Sequence, residues 1–114
     1  MGNFNWRYTN SVKQTYKSRS YRSKAEVKYA MYLDQRLKDK EIKSWEYEKK
    51  IELFGENGTR ICNYAIDFVI THLDGLIEFV EVKGYETGIW RLKWKLFKDK
   101  YGKDSKYKIT LERV

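Results

Sequence analysis

Residues 60–83 read RICNYAIDFVITHLDGLIEFVEVK, and the fold turns on how this stretch pairs with itself. Arg60–Thr71 is rich in β-branched and aromatic residues and apolar on both faces near its end, which predicts a strand in the middle of a sheet. Leu76–Lys83 predicts a second strand, which Gly84 ends. Leu73-Asp74-Gly75 predicts the hairpin loop between them. Strand side chains alternate, so Ile77, Phe79, Glu81 and Lys83 share one face, as do Ile61, Ala65, Asp67 and Val69. With a three-residue loop, His72 lies opposite Leu76 and Asp67 lies opposite Glu81 on the same face. A two-residue Asp74-Gly75 turn would instead set Asp67 against Val82 and send the two acids to different faces. The three-residue loop is preferred, because its last position favours positive φ and Gly75 supplies it.

This reading carries an electrostatic problem. A carboxylate between apolar neighbours on a central strand is costly unless paired or bound to a metal. Two of them side by side, about 5 Å apart at directly opposed positions, repel. A divalent cation resolves the conflict, and hard carboxylate oxygens with several waters suit Mg²⁺. Lys83 would lie beside that ion, positioned to orient a water or offset phosphate charge.

Outward from this hairpin, Ser23 to about Lys40 predicts a helix with Ala30, Leu33 and Leu37 on its inner stripe. Ser23 and Glu26 stand at capping-box spacing. Glu26 lies on the same inner stripe, so it can serve as a cap, as a third carboxylate at the metal site, or as both. Residues 44–54 predict a strand in which Glu46, Glu48 and Lys50 share a face, with solvation preferred over the alternative that one of the acids approaches the metal, followed by a turn at Gly55–Thr59. Thr87 to about Tyr101 predicts a helix whose Trp90, Trp94, Phe97 and Tyr101 form a core stripe, with Gly102 at C′. Lys106–Glu112 predicts a last strand. The expected order is α-β-β-β-α-β, a small mixed sheet flanked by helices in the α/β or α+β class. Residues 1–20 lack sustained periodicity and are expected to be an arm, with residues 21–114 forming one domain.

Length and composition bound the function. The chain has 114 residues, enough for one modest core. No apolar run approaches the roughly 18 residues a membrane span needs, and no signal-peptide h-region is present. Cys62 stands alone, which excludes an intramolecular disulfide and a cysteine-rich zinc site, and fits a cytoplasmic setting. The net charge is +8, but unevenly placed: residues 1–25 hold six Lys/Arg and no acid, and residues 88–114 hold nine Lys/Arg against three acids. Residues 26–87 are net acidic, with thirteen acids against nine bases. Basic flanks suit a polyanion, because phosphate neutralisation releases counterions. In the first segment Phe4, Trp6, Tyr8, Tyr16 and Tyr21 interleave with Arg7, Lys13, Lys17, Arg19 and Arg22, a pattern suited to stacking on bases while holding phosphates. Along the second helix Arg91, Lys93, Lys95, Lys98 and Lys100 surround the aromatic stripe. Arg19, Arg22, Lys24, Arg91, Lys93 and Lys95 are the expected DNA contacts. His72 receives no role.

Asp67, thirteen intervening residues, and Glu81-Val82-Lys83 resemble the signature of the PD-(D/E)XK nuclease superfamily. The succession Arg22-Ser23-Lys24-Ala25-Glu26, Trp45-Glu46-Tyr47-Glu48, Tyr64-Ala65-Ile66-Asp67-Phe68 and Glu81-Val82-Lys83-Gly84 looks like that of phage endonuclease I-type Holliday-junction resolvases. It is also similar to a family of small phage proteins of that nuclease class with no assigned function. The resemblance spans roughly residues 21–102. That family often has proline before the aspartate, where this chain has Ile66; proline there shapes the strand and is not a ligand. The resemblance implies a restriction-endonuclease-like core and a phage protein acting in a bacterial host. It implies Mg²⁺, replaceable by Mn²⁺, held by Asp67, Glu81, the Val82 carbonyl and Glu26, with Lys83 helping to activate water. The implied reaction leaves a 5′-phosphate and a 3′-hydroxyl on branched DNA, by a homodimer. Two alternatives stay open: a nickase or flap nuclease of the same class, and a non-catalytic DNA-binding protein on a nuclease-like fold.

Overall fold

Four segments rich in β-branched and aromatic residues build the sheet, and each helix that covers it starts at a hydroxyl cap. The computed structural model describes residues 13–114. The elements run β1 (Gln14–Tyr16), β2 (Arg19–Tyr21), α1 (Lys24–Lys38), β3 (Ile42–Phe54), β4 (Arg60–His72), β5 (Ile77–Lys83), α2 (Gly88–Tyr101) and β6 (Tyr107–Arg113). Strands β3-β4-β5-β6 form one four-stranded sheet, antiparallel except for the parallel β5–β6 pair. The mixed α+β class expected from the sequence is the class observed, with one addition. Residues 14–21, expected within an arm, form a two-stranded hairpin. Its turn residues Lys17 and Ser18 both take positive φ, 50° and 65°, without the glycine or asparagine that usually marks such a turn. Tyr21 at its end is buried against Ala25 and Leu33 of α1. The aromatic and basic residues before Lys13 lie outside the described residues.

Helix α1 starts where expected. Ser23 is extended, and its Oγ accepts from Glu26 N at 3.2 Å. The box does not close, because Glu26 Oε1 accepts from Arg22 N instead of from the cap's own N–H. Ala30 and Leu33 are buried, but Leu37, expected on the same inner stripe, is 40% exposed. Helix α2 is capped by Thr87, whose Oγ1 accepts from Trp90 N. It ends at Gly102 in a right-handed conformation, not the left-handed one of a C′ glycine. Glycine is needed there for space, because a Cβ would stand 2.5 Å from the Lys98 carbonyl oxygen.

The two helices cover opposite faces of the sheet. Phe68, Ile70, Val80 and Val82 pack with α1, and Ile66, Val69, Phe79, Trp90, Trp94 and Phe97 form the core under α2. That division exposes a break in the strands. Strict alternation would keep Ile66 and Phe68 on one face, yet they belong to opposite cores. The same switch occurs in β3, where Trp45 and Tyr47 lean on the α1 core while Ile51 and Leu53 lie under α2. The two switches are adjacent. Glu48, at φ 57°, and Asp67 fall between the pairs Tyr47↔Phe68 and Lys49↔Ile66, and the registers on either side of them agree. Both strands therefore change face together, at one crease across the sheet.

Candidate functional site

The crease is where the acids gather. The β4–β5 register is the one a three-residue loop implies: Phe68 pairs with Val80 and Thr71 with Ile77, and Gly75 has φ 93°. The ladder stops at Phe68↔Val80, one step before Asp67 and Glu81. Val82 N donates instead to Asp67 Oδ2 at 2.8 Å. Two expectations change here. Asp67 does not share a face with Val69, because β4 switches faces at Asp67. Nor does Asp67 share a face with Glu81. Asp67 turns toward the α1 side, where Arg22 Nη2 pairs with its Oδ1, while Glu81 stays under α2. There Trp90 Nε1 donates to Glu81 Oε2 at 3.0 Å and lies 3.2 Å from the Tyr64 hydroxyl.

The two acids nevertheless line one cleft of about 270 Å³, together with Arg22, Glu26 and Lys83. Glu26 comes from the first turn of α1 and is 5% exposed, against 1% for Asp67 and 3% for Glu81. Its Oε1 accepts from the Tyr47 hydroxyl at 2.5 Å, and its Oε2 lies 3.6 Å from Arg22 Nη2. Glu48 is exposed, on the solvated face expected of it, and its Oε2 lies 3.5 Å from Arg22 Nε. Glu46 stays at the surface beside Lys49. Lys83 Nζ stands 5.1 Å from the centre of the Trp90 ring at the cleft's rim. Val82 borders the cleft and contributes its N–H to Asp67.

Burial raises the Asp67 carboxyl to about 8, helped by Glu81 and Glu26 and opposed by Arg22 and the Val82 N–H. Burial raises Glu81 as well, against the pull of Trp90 and Lys83. In an unfolded chain both acids ionise near pH 4. Between about pH 4 and 8 the folded protein thus holds on Asp67 a proton that the unfolded chain has released, so this group makes stability fall as pH rises across that window, and Glu81 acts in the same direction. Urea midpoints taken in EDTA from pH 5 to 8 should show this decline, and Asp67→Asn should flatten it. A variant that loses stability with pH as steeply as the parent would mean that Asp67 is ionised throughout.

The donor set is hard oxygen, of the kind that binds Mg²⁺ or Mn²⁺. Glu81 Oε1 is buried with no hydrogen-bond partner among the described residues, an oxygen left open for a ligand. No three acidic, imidazole or thiol groups among the described residues close into a finished metal cage. The Arg22 guanidinium pairs with Asp67 and Glu26 on the α1 side of the cleft. The carboxylates suit a divalent ion in the chemistry of their oxygens.

Of the expected DNA contacts, Arg22 faces the acids with half of its side chain exposed. Arg19 is exposed in the hairpin and Lys24 is half-buried at the start of α1. Lys93 joins Lys50 and Lys83 around a second cleft of about 340 Å³ that shares Arg22 and Glu81 with the first. Arg91 and Lys95 lie on the far side of α2, around a groove that reaches β6. Sequence reasoning missed the bridging of Arg22, the Tyr47 hydroxyl and the Trp90 indole. A buried indole N–H needs an acceptor, and that rule could have flagged Trp90. It also missed buried Glu78, which His72 Nε2 meets at 2.8 Å and Thr110 Oγ1 at 2.6 Å.

Fold and site together define a small mixed α/β domain with a buried acidic cleft opening where two central strands part. Its sequence matches, over residues 6–111, the family described as proteins of unknown function, DUF1064, and the chain belongs to that family. No curated protein matches it. No solved structure matches it either. No helix among the described residues is long and apolar enough to cross a membrane.

Proposed function

We propose that this protein is a metal-dependent DNA endonuclease of the PD-(D/E)XK type, selective for branched DNA. The observation that carries this reading is that Glu26, Asp67 and Glu81, all buried, line one cleft with Lys83 at its rim, while Glu81 Oε1 has no hydrogen-bond partner among the described residues. A binding surface for nucleic acid has no use for buried acids beside phosphate.

Asp67, Glu81 and Glu26 would hold Mg²⁺, or Mn²⁺ in its place. The ion would supply Lewis acidity toward a phosphodiester and its attacking water. Lys83 brings an ammonium to the rim, where it offsets charge gained by the phosphate and orients a water beside it. Trp90 fixes Glu81 through Oε2 and leaves Oε1 for the cleft. Tyr47 fixes Glu26 in the same way. Lys50, Lys83 and Lys93 offer phosphate contacts along the neighbouring cleft. Hydrolysis would leave a 5′-phosphate and a 3′-hydroxyl. Selectivity for four-way junctions and action as a homodimer follow from the motif succession, since two sites acting together would cut two strands.

A second reading, a non-catalytic DNA-binding protein on the same fold, is favoured by one observation: Arg22 already pairs with two of the acids. One assay separates them. The protein is incubated with a four-way junction, a flap, a nicked duplex and linear duplex, in Mg²⁺ and then in EDTA. Metal-dependent cutting confined to the junction is the expected result. Tight binding with no cutting of any substrate would favour the second reading and remove the first.

A further inference from the structure

Arg22 sits between hairpin strand β2 and the N-cap of α1, a place that commits its backbone but leaves its side chain half exposed. Its guanidinium touches three acids from three elements. Nη2 reaches Asp67 of β4 and Glu26 of α1, and Nε reaches Glu48 of β3. Two of these acids are buried, and whatever charge they carry out of water needs a partner. A planar guanidinium, with five donors in a fixed fork, can reach carboxylates from several elements at once. The third acid of the cleft, Glu81, lies under the other face of the sheet, and its free oxygen is not met by the fork. The cleft is therefore cation-filled on the Asp67 and Glu26 side and open on the Glu81 side.

We propose that Arg22 is the resting counter-cation of the acidic cleft, that a divalent ion must displace it, and that the displaced guanidinium then meets the substrate phosphate. This rests on reading the cleft as a metal-dependent nuclease site. It assigns Arg22 a role beyond a surface phosphate contact. The guanidinium and the metal compete for Asp67 and Glu26, so each excludes the other. Without metal, Arg22 keeps the acids from repelling and is withheld from DNA. With metal, its own acids are occupied, and its exposed half leaves it free to swing to the cleft mouth. There its fork matches a phosphate as it matched the carboxylates. DNA binding and metal binding become coupled through one side chain, each favouring the state in which Arg22 has left the cleft.

The test is Mn²⁺ titration of the full chain by calorimetry, for the parent, Arg22→Met and Arg22→Lys, with Asp67→Asn to locate the site. DNA affinity is measured alongside, in EDTA and in Ca²⁺. Arg22→Met should bind Mn²⁺ at least about tenfold more tightly, because its competitor is gone. Arg22→Lys should fall between, and it serves alone if the Met variant does not fold. Ca²⁺ should strengthen DNA binding by the parent severalfold, and that gain should vanish in Arg22→Met. Equal or weaker Mn²⁺ binding by folded Arg22 variants would overturn the counter-cation role and leave the metal site standing. Absence of Mn²⁺ binding from the parent and from every variant would overturn the metal site itself, and this inference with it.

Discussion

Asp67→Asn is expected to lower Mg²⁺-dependent cleavage of a four-way junction by about a thousandfold or more, while DNA affinity in EDTA changes by no more than about twofold. A factor of a thousand corresponds to about 4 kcal/mol of transition-state stabilisation, within what a bound metal supplies. Asparagine matches the volume of aspartate, and its Oδ1 can still accept from Val82 N, so the crease should survive. What it lacks is the charge that a divalent ion needs. Asp67 is 1% exposed, so no other part of the surface can take over its position. Gel-based cleavage of labelled junctions, with circular dichroism to verify folding, measures both halves. Parental cutting rates in the variant would remove Asp67 from the site and the metal mechanism with it.

Phe68→Ala is expected to cost about 3–5 kcal/mol of stability, the range for truncating a fully buried aromatic. Phe68 follows Asp67 directly and is the first residue after the strand changes face. Its ring is fully buried and lies 5.1 Å from that of Tyr29, 5.8 Å from Trp45 and 5.4 Å from Tyr47. Those contacts tie the α1 core to the site, because Tyr47 also holds Glu26. Alanine would leave a void against α1 and β3, and the melting temperature should fall by more than about 10 °C. Phe68→Leu keeps most of the volume and should cost about 1–1.5 kcal/mol. It should still loosen Tyr47, so cleavage should fall more than stability does. Thermal and urea unfolding of both variants measures this. A Phe68→Ala protein within about 1 kcal/mol of the parent would show that the α1 core is not packed around this ring.

Much of this was legible because the decisive signals are local. Ser23 and Thr87 are hydroxyl caps followed by aliphatic and aromatic stripes, and both helices begin there. Gly75 set the loop length, and the loop set the β4–β5 register. The crease was not legible, because its left-handed residue is Glu48, a type that seldom adopts such a conformation and carries no mark of it. Strand alternation was applied straight through Asp67, so the acid was placed on the same face as Glu81. The hairpin before α1 was hidden for a similar reason, since Lys17 and Ser18 turn the chain without glycine. Arg22 was read as a surface cation because its partners are 4, 26 and 45 residues away, and only the folded chain brings them together.

The matched switch in β3 and β4 also constrains how this sequence can change length. Deleting Glu48 alone would leave Asp67 without an opposite residue. It would restore strict alternation in β3 while β4 kept its extra residue, so the two halves of the hairpin could no longer share one register. Removing one residue from β4 alone would leave Glu48 unmatched in the same way. Single-residue insertions and deletions near the crease should therefore be tolerated only in compensating pairs, one in each strand. Descendants of this chain would gain or lose the distortion as a unit, and the acid it presents would come or go with it.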